Sequence, residues 1–357
     1  MIKQNYTLIG LMSGTSLDGV DLALCRFDEG KSDAVILKAQ TFTYSTEWME
    51  KLGNAQQNDA MAFWKLHVEY GHYLGQLVRK FCKGINEKVD AVASHGHTVF
   101  HQPHNGFTCQ IGDGAAIAAD CGITTICDFR SMDVAMGGQG APLVPIGDKL
   151  LFGNYAACLN LGGIANISFD ENCIRKAFDI CPVNIVFNNL AQLLGKPYDE
   201  GGRMATEGKP DNELFEELNQ LPFYSGEEKK SIGREWVEEE ILGRFSKSGL
   251  AIQDKLATAV EHAAKQIAIV LNREKIKNVL VTGGGTYNDH LISSIKKLTS
   301  AELVIPDKKT IEFKEALIFA FLGMLRLKEE PNALKSVTGA QCDNVGGAIY
   351  YIKKTER

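Results

Sequence analysis

The sequence predicts an α/β fold of two domains, each built on a sheet that opens with a hairpin. Three observations carry that expectation. The chain has 357 residues, and at roughly 100–200 residues per domain that length suits two domains with separate cores. An apolar strand, a Gly/Ser/Thr/Asp turn and a second apolar strand open the chain, and a similar pattern returns about 150 residues later. Between and after them, strand and helix patterns alternate.

Taken in order, residues 7–12 and 20–27 flank the first turn and read as its two strands. Residues 60–83 space apolar side chains three and four apart, which predicts an amphipathic helix. KVDAVASHGHTVFH reads as one buried strand ending in polar residues, 112–121 as a short helix and ITTICDF as a strand. Residues 131–145 hold three glycines and two prolines and read as a loop, the crossover between halves. In AACLNLGGIANISFD (156–170) an apolar strand runs into Gly162-Gly163 and a second strand follows. Residues 183–195 look helical, 196–210 like a loop, and 211–247 like exposed, Glu- and Lys-rich helices. Residues 251–273 form a helix, NVLVTGGGTYNDHLISSIKKL reads strand, glycine loop, helix, 302–306 is a short strand and 312–328 a helix. The domains are expected at 1-145, joined by 340-357, and at 146-339.

Composition narrows the function. The formal charge is −6 and no Lys/Arg-rich run occurs, which argues against a nucleic-acid partner. Nine scattered cysteines without a C-x-x-C pair read as reduced thiols. The N-terminus lacks the apolar stretch of a signal peptide, and no stretch approaches the roughly 18 apolar residues of a membrane span. A soluble, cytoplasmic protein is expected.

Several segments have the composition of binding sites. The turn SGTSLDG at 13–19 can aim backbone N–H groups and two hydroxyls at an anion, with Asp18 holding a cation through water, or it can be a plain hairpin turn. It is not a Walker A loop. Gly283-Gly284-Gly285-Thr286 follows a buried strand, where glycines let a flat or anionic group approach the backbone. The spacing does not fit a Rossmann fingerprint. His95, His97 and His101 invite a zinc reading but lack H-E-x-x-H spacing. Strand-end histidines more often make hydrogen bonds. Asp179, at a strand end, suits a general base, although a solvated turn is the more common fate of such an aspartate. Asp128 and Arg130 can pair with each other or hold a polar ligand, and Glu315 precedes an apolar helix.

In order, GLMSGTSLDGVD, SHGHTVFHQP, QIGDGAAIA, DFRSMDVAMGGQGAPLVP, NLGGIANIS, VTGGGTYND, FKEALIFAFLG and SVTGA closely resemble the anhydro-N-acetylmuramic acid kinase family, a branch of the actin/hexokinase/Hsp70-like ATPase superfamily. The resemblance runs from about residue 8 to 350. It implies two RNase H-like domains facing a central cleft, and a homodimer; closure around ligand is expected of two lobes joined by a glycine-rich crossover, since hinges sit in such segments. It also implies an ATP- and Mg²⁺-dependent enzyme that opens 1,6-anhydro-N-acetylmuramic acid with water and phosphorylates O6.

By the same resemblance, Gly14, Thr15, Ser16, Leu17, Asp18, Gly19, Val20 and Asp21 match the first phosphate-binding hairpin. Asn160, Gly162, Gly163 and Asn166 match the second, and Gly283, Gly284, Gly285 and Thr286 the nucleotide loop. Asp179 matches the catalytic base, and His95, Asp128, Arg130 and Glu315 lie in motifs bordering the sugar pocket. Arg130 is assigned on charge to the lactyl carboxylate. Two departures stand out. The family run D-T-G-P-G-N is here Asp179-Ile180-Cys181-Pro182-Val183-Asn184, and His97 replaces the Gln of H-G-Q-T. If the lost glycines allow close approach, Cys181 and Val183 should narrow the site. That leaves open a kinase of a related amino sugar, or a non-catalytic sugar sensor.

Overall fold

The computed structural model describes residues 5–14, 17–28, 34–226 and 231–353. Thr15 and Ser16 of the first turn lie outside the described residues. The chain divides into two units. One comprises Met1–Leu151 with Phe313–Arg357, the other Phe152–Glu312.

In the first unit the sheet runs Ala348–Tyr350, Thr125–Cys127, Ala91–Ser94, Asn5–Met12, Gly19–Asp28, Ala34–Thr43. In the second it runs Ile174–Pro182, Ile164–Glu171, Ala157–Leu161, Asn278–Thr282, Glu302–Val304. Numbered within each unit, the five shared strands follow one order, 3-2-1-4-5, with strand 2 antiparallel to the rest. This is the RNase H-like arrangement the resemblance implies, built twice.

Burial explains why these segments form these elements. The strand Asn5–Met12 keeps Leu8, Ile9 and Leu11 fully buried, as a strand covered on both faces must. The helix Lys308–Leu327 lies directly on it. A Cβ at Gly10 would stand 1.8 Å from the Ala316 carbonyl oxygen, so only glycine permits that approach. In the second unit the helix Ile252–Arg273 turns Leu256, Val260, Ala263, Ile267 and Leu271 into the core, the i, i+4, i+7 stripe of an amphipathic helix.

Several expectations need correction. Residues 131–145 are not a continuous loop: helices Ser131–Ala135 and Val144–Leu151 occupy its two ends. Nor do they join the halves, because the whole segment belongs to the first unit. The cause is Asp133, fully buried, which accepts from Gly140 N (2.7 Å), Thr338 Oγ1 (2.8 Å) and Asn344 Nδ2 (2.8 Å). Where 145/146 and 339/340 had been expected as boundaries, the division falls after Leu151 and Glu312. KVDAVASHGHTVFH is two elements: Ala91–Ser94 in the main sheet, and His97–Gln102 in a separate hairpin with Phe107–Ile111. Within 196–210 a short helix, Arg203–Glu207, forms. The helices of 211–247 are amphipathic and send Leu214, Leu218, Val237, Ile241 and Phe245 into the core. All nine cysteines are free thiols.

Candidate active site

In the second unit, strand register gathers the polar residues. Thr282 pairs with Asn160, Asn160 with Asn166, and Asn166 with Asp179. Residues directly opposite on neighbouring strands share a face, so these four form one row across the sheet. Leu159 and Leu161 alternate to the opposite, fully buried face. The row borders the glycine loop. Gly283 has φ 85° and ψ 163°, a region open essentially to glycine alone, and a Cβ there would stand 2.5 Å from Asn160 Oδ1. Thr286 Oγ1 donates to Gly283 O at 2.7 Å and holds the loop closed.

The Gly162-Gly163 turn abuts the helix Asn184–Gln192. Val183 N and Ile185 N donate to Gly163 O at 2.8 and 3.2 Å, and Asn184 N to Gly162 O at 3.3 Å. Asn184 Nδ2 donates to Leu161 O at 3.1 Å. Asn184 is thus placed beside the loop, although the sequence reading did not name it as a site residue; its survival from the family run was the available signal.

Asp179 is half-buried, and its Oδ2 accepts the Ile232 N–H at 2.9 Å. Burial raises its carboxyl pKa, and the Ile232 donor pulls against that rise. A register shift follows between Asp179 and Cys181. Beyond it Cys181 and Val183 are each 0% exposed in the core, with Cys181 Sγ 3.8 Å from Ala263 O. They do not narrow the site, because the shift turns their side chains into the core.

In the first unit the site residues rest on side-chain contacts. His95 is buried; its Nδ1–H donates to Gly96 O at 2.9 Å and its Nε2 accepts from Arg130 Nε and Nη2 at 3.1 and 2.9 Å. Burial, then the Arg130 charge, hold His95 neutral, well below the usual histidine pKa. Arg130 Nη1 donates to Gly140 O at 2.7 Å, and burial lowers its own pKa to about 10. Asp128 does not pair with Arg130. It is exposed, sits at φ 58°, and accepts from Ser131 Oγ at 2.5 Å.

Glu315 lies inside the helix Lys308–Leu327 rather than before it. It keeps an exposed surface, yet it stands among enough protein that burial raises its pKa, against the pull of Lys314 and Arg130. Lys314 is itself buried and paired with Asp148 at 2.7 Å. Asp21 accepts from Thr41 Oγ1 at 2.5 Å, and Asp18 is exposed just before the strand Gly19–Asp28. Leu17 has φ 58° and Val20 is buried.

A second buried network was not foreseen. Ser13 Oγ lies 2.7 Å from Tyr44 Oη and 3.3 Å from His97 Nδ1, and Tyr44 Oη 2.6 Å from Tyr70 Oη. Nothing local announces a contact among residues so far apart in sequence. Burial lowers the His97 pKa to about 4. His101 Nδ1 meets Thr108 Oγ1 at 3.1 Å. Among the described residues, no group of three or more His, Cys, Asp or Glu is placed to hold a metal ion.

With this geometry in place, comparison with known proteins decides the family. A family model described as anhydro-N-acetylmuramic acid kinase matches residues 6–352. The chain belongs to the anhydro-N-acetylmuramic acid kinase family. Proteins of that name from Hydrogenovibrio crunogenus and Mannheimia succiniciproducens are 35% and 36% identical to it. The alignments cover 96% of this chain and 97% of the first relative, and 98% of this chain and 100% of the second. Another from Francisella tularensis subsp. novicida is 33% identical, over 96% of this chain and 98% of its own length. The match takes in nearly all of both units and every candidate site residue named above.

Proposed function

We propose that this protein is an ATP-dependent kinase that opens 1,6-anhydro-N-acetylmuramic acid and yields N-acetylmuramic acid 6-phosphate, a step in recycling cell wall. The observation that carries the reading is Asp179, a half-buried carboxylate in one row with Asn160 and Asn166 beside the glycine loop. Family membership supports it. Asp179 takes a proton from water as the water oxygen bonds to C1 of the sugar and the C1–O6 bond breaks. O6 then bonds to the γ-phosphorus of ATP, whose bond to the bridging oxygen breaks to leave ADP.

The residues present suit ATP. Gly162, Gly163, Gly283 and Gly284 leave surface open beside the polar row, while Gly285 and Thr286 are buried beneath them, and a Cβ at Gly163 or Gly284 would meet only ordinary contacts, at 3.8 and 3.7 Å. They also suit Mg²⁺, which is usually bound by one or two carboxylates together with substrate phosphates and water. The exposed Asp18 is such a carboxylate, acting through water. When bound, the ion neutralises phosphate charge.

His95, Asp128, Arg130 and Glu315 serve the sugar. Of the five N–H donors of Arg130, three are spent on His95 and Gly140. The other two are what it offers the lactyl carboxylate. A cytoplasmic location and a homodimer belong to the same reading; light scattering in solution checks the latter. Neither a related amino-sugar kinase nor a sensor is favoured, since Cys181 and Val183, which motivated the first, face the core.

The test is turnover of 1,6-anhydro-N-acetylmuramic acid with ATP and Mg²⁺, followed by ADP release and product mass. The expected product is heavier than the sugar by one phosphate and one water. Nucleotide binding without turnover of this sugar overturns the reading.

A further inference from the structure

We infer that the backbone N–H of Ile232 is a positioning group for the Asp179 carboxylate, anchored by the Ile232 side chain in the core. This rests on Asp179 being the base. The donor comes from 53 residues along the chain, and its 2.9 Å bond engages Oδ2. Ile232 is 7% exposed and shares one apolar cluster with Ile180, Cys181 and Val183, the residues that follow Asp179. Phe178, on the other side of Asp179, packs against the same cluster. Donor and acceptor are therefore fixed to the same body of side chains.

Two consequences follow for the chemistry. A carboxylate held by one oxygen cannot rotate freely, so Oδ1 keeps one orientation for the proton of the attacking water. A donor on Oδ2 also favours the charged carboxylate, opposing the burial that favours the neutral acid. Any residue except proline supplies this N–H, so the side chain here serves the anchor and the main chain serves the base. Val237 N donates to Gly233 O at 3.3 Å, which joins the segment to the helical run behind it.

The experiment compares Ile232→Pro, which removes the donor, with Ile232→Ala, which keeps it and loosens only the anchor. In Ile232→Pro, kcat should fall about tenfold and the acid limb of its pH profile should move up by about one unit, with KM for ATP unchanged. In Ile232→Ala the limb should stay in place while thermal stability drops. The wild-type Ile232 amide resonance gives a measurement independent of whether the proline variant folds. It should follow the ionisation of Asp179 with pH and stop doing so in Asp179→Asn. A limb unmoved in a folded Ile232→Pro, or an Ile232 amide that ignores that ionisation, overturns the proposal. Asp179→Asn is assayed alongside. Lost turnover there with an unmoved limb in Ile232→Pro overturns the positioning role alone, whereas retained turnover overturns the base itself.

Discussion

The two units share a strand order and differ in the turn of the first hairpin. In the second unit only Gly162-Gly163 separates the strands, and both carbonyls are taken by N–H groups of 183–185. In the first unit one strand ends at Met12 and the next starts at Gly19, and Ser13, just past the first, is tied by hydroxyl and imidazole to Tyr44 and His97. The candidate residues of one unit are thus shaped by backbone and glycine, those of the other by buried side chains and charge. The first unit should accordingly be broken by charge and acid, the second by an added methyl group.

Asp148→Asn should have the largest effect. It leaves the buried Lys314 ammonium without its carboxylate at 2.7 Å, and breaking a buried pair costs about 3–5 kcal/mol. Thermal unfolding should show a large fall in Tm. An unchanged Tm would mean that Lys314 finds equivalent support elsewhere.

Acid comes next. The His97 pKa is about 4 when folded against a reference of 6.5, so the unfolded chain binds the extra proton between those values. The stabilisation is complete above pH 6.5 and is lost as pH falls from there through 4, on the order of 3 kcal/mol in all. Unfolding of wild type and His97→Gln between pH 7 and 4.5 should show a shallower acid loss in the variant. A part remains in both, because His95 and His262 are also held neutral by burial.

The glycines sharpen the contrast. Gly283→Ala places a Cβ 2.5 Å from Asn160 Oδ1 at a backbone angle side chains avoid, a cost of about 1–3 kcal/mol. Gly163→Ala meets nothing closer than 3.8 Å and should change stability by less than about 0.5 kcal/mol. Calorimetry should nonetheless find weaker ATP binding in Gly163→Ala. Unaltered binding would remove Gly163 from the phosphate site.

Legibility in the sequence followed the range of the interactions. The strands at 7–12 and 20–27 and the helix at 251–273 were readable because apolar spacing and turn residues are local. They appear as Asn5–Met12, Gly19–Asp28 and Ile252–Arg273. The strand Ala34–Thr43 was not read: it is an edge strand, mostly part-exposed, with Lys38 and Gln40 interrupting any alternation. The row of Asn160, Asn166 and Asp179 was legible as motifs but not as a row, since register belongs to the sheet. The Arg130–His95 bond, the Ser13 network and the Asp133 cluster were not legible, since each joins residues distant in sequence.

Asp133 has a consequence for how the protein is made. Its partners Thr338 and Asn344 lie 205 and 211 positions further on, and Ala348–Tyr350 supplies a strand of the same unit. During synthesis, residues 152–312 emerge as one uninterrupted stretch, able to fold as a unit while 5–151 still wait for their partners. The half of the molecule translated first is therefore the half completed last, and until then the edge of its sheet at Thr125–Cys127 lacks its partner strand.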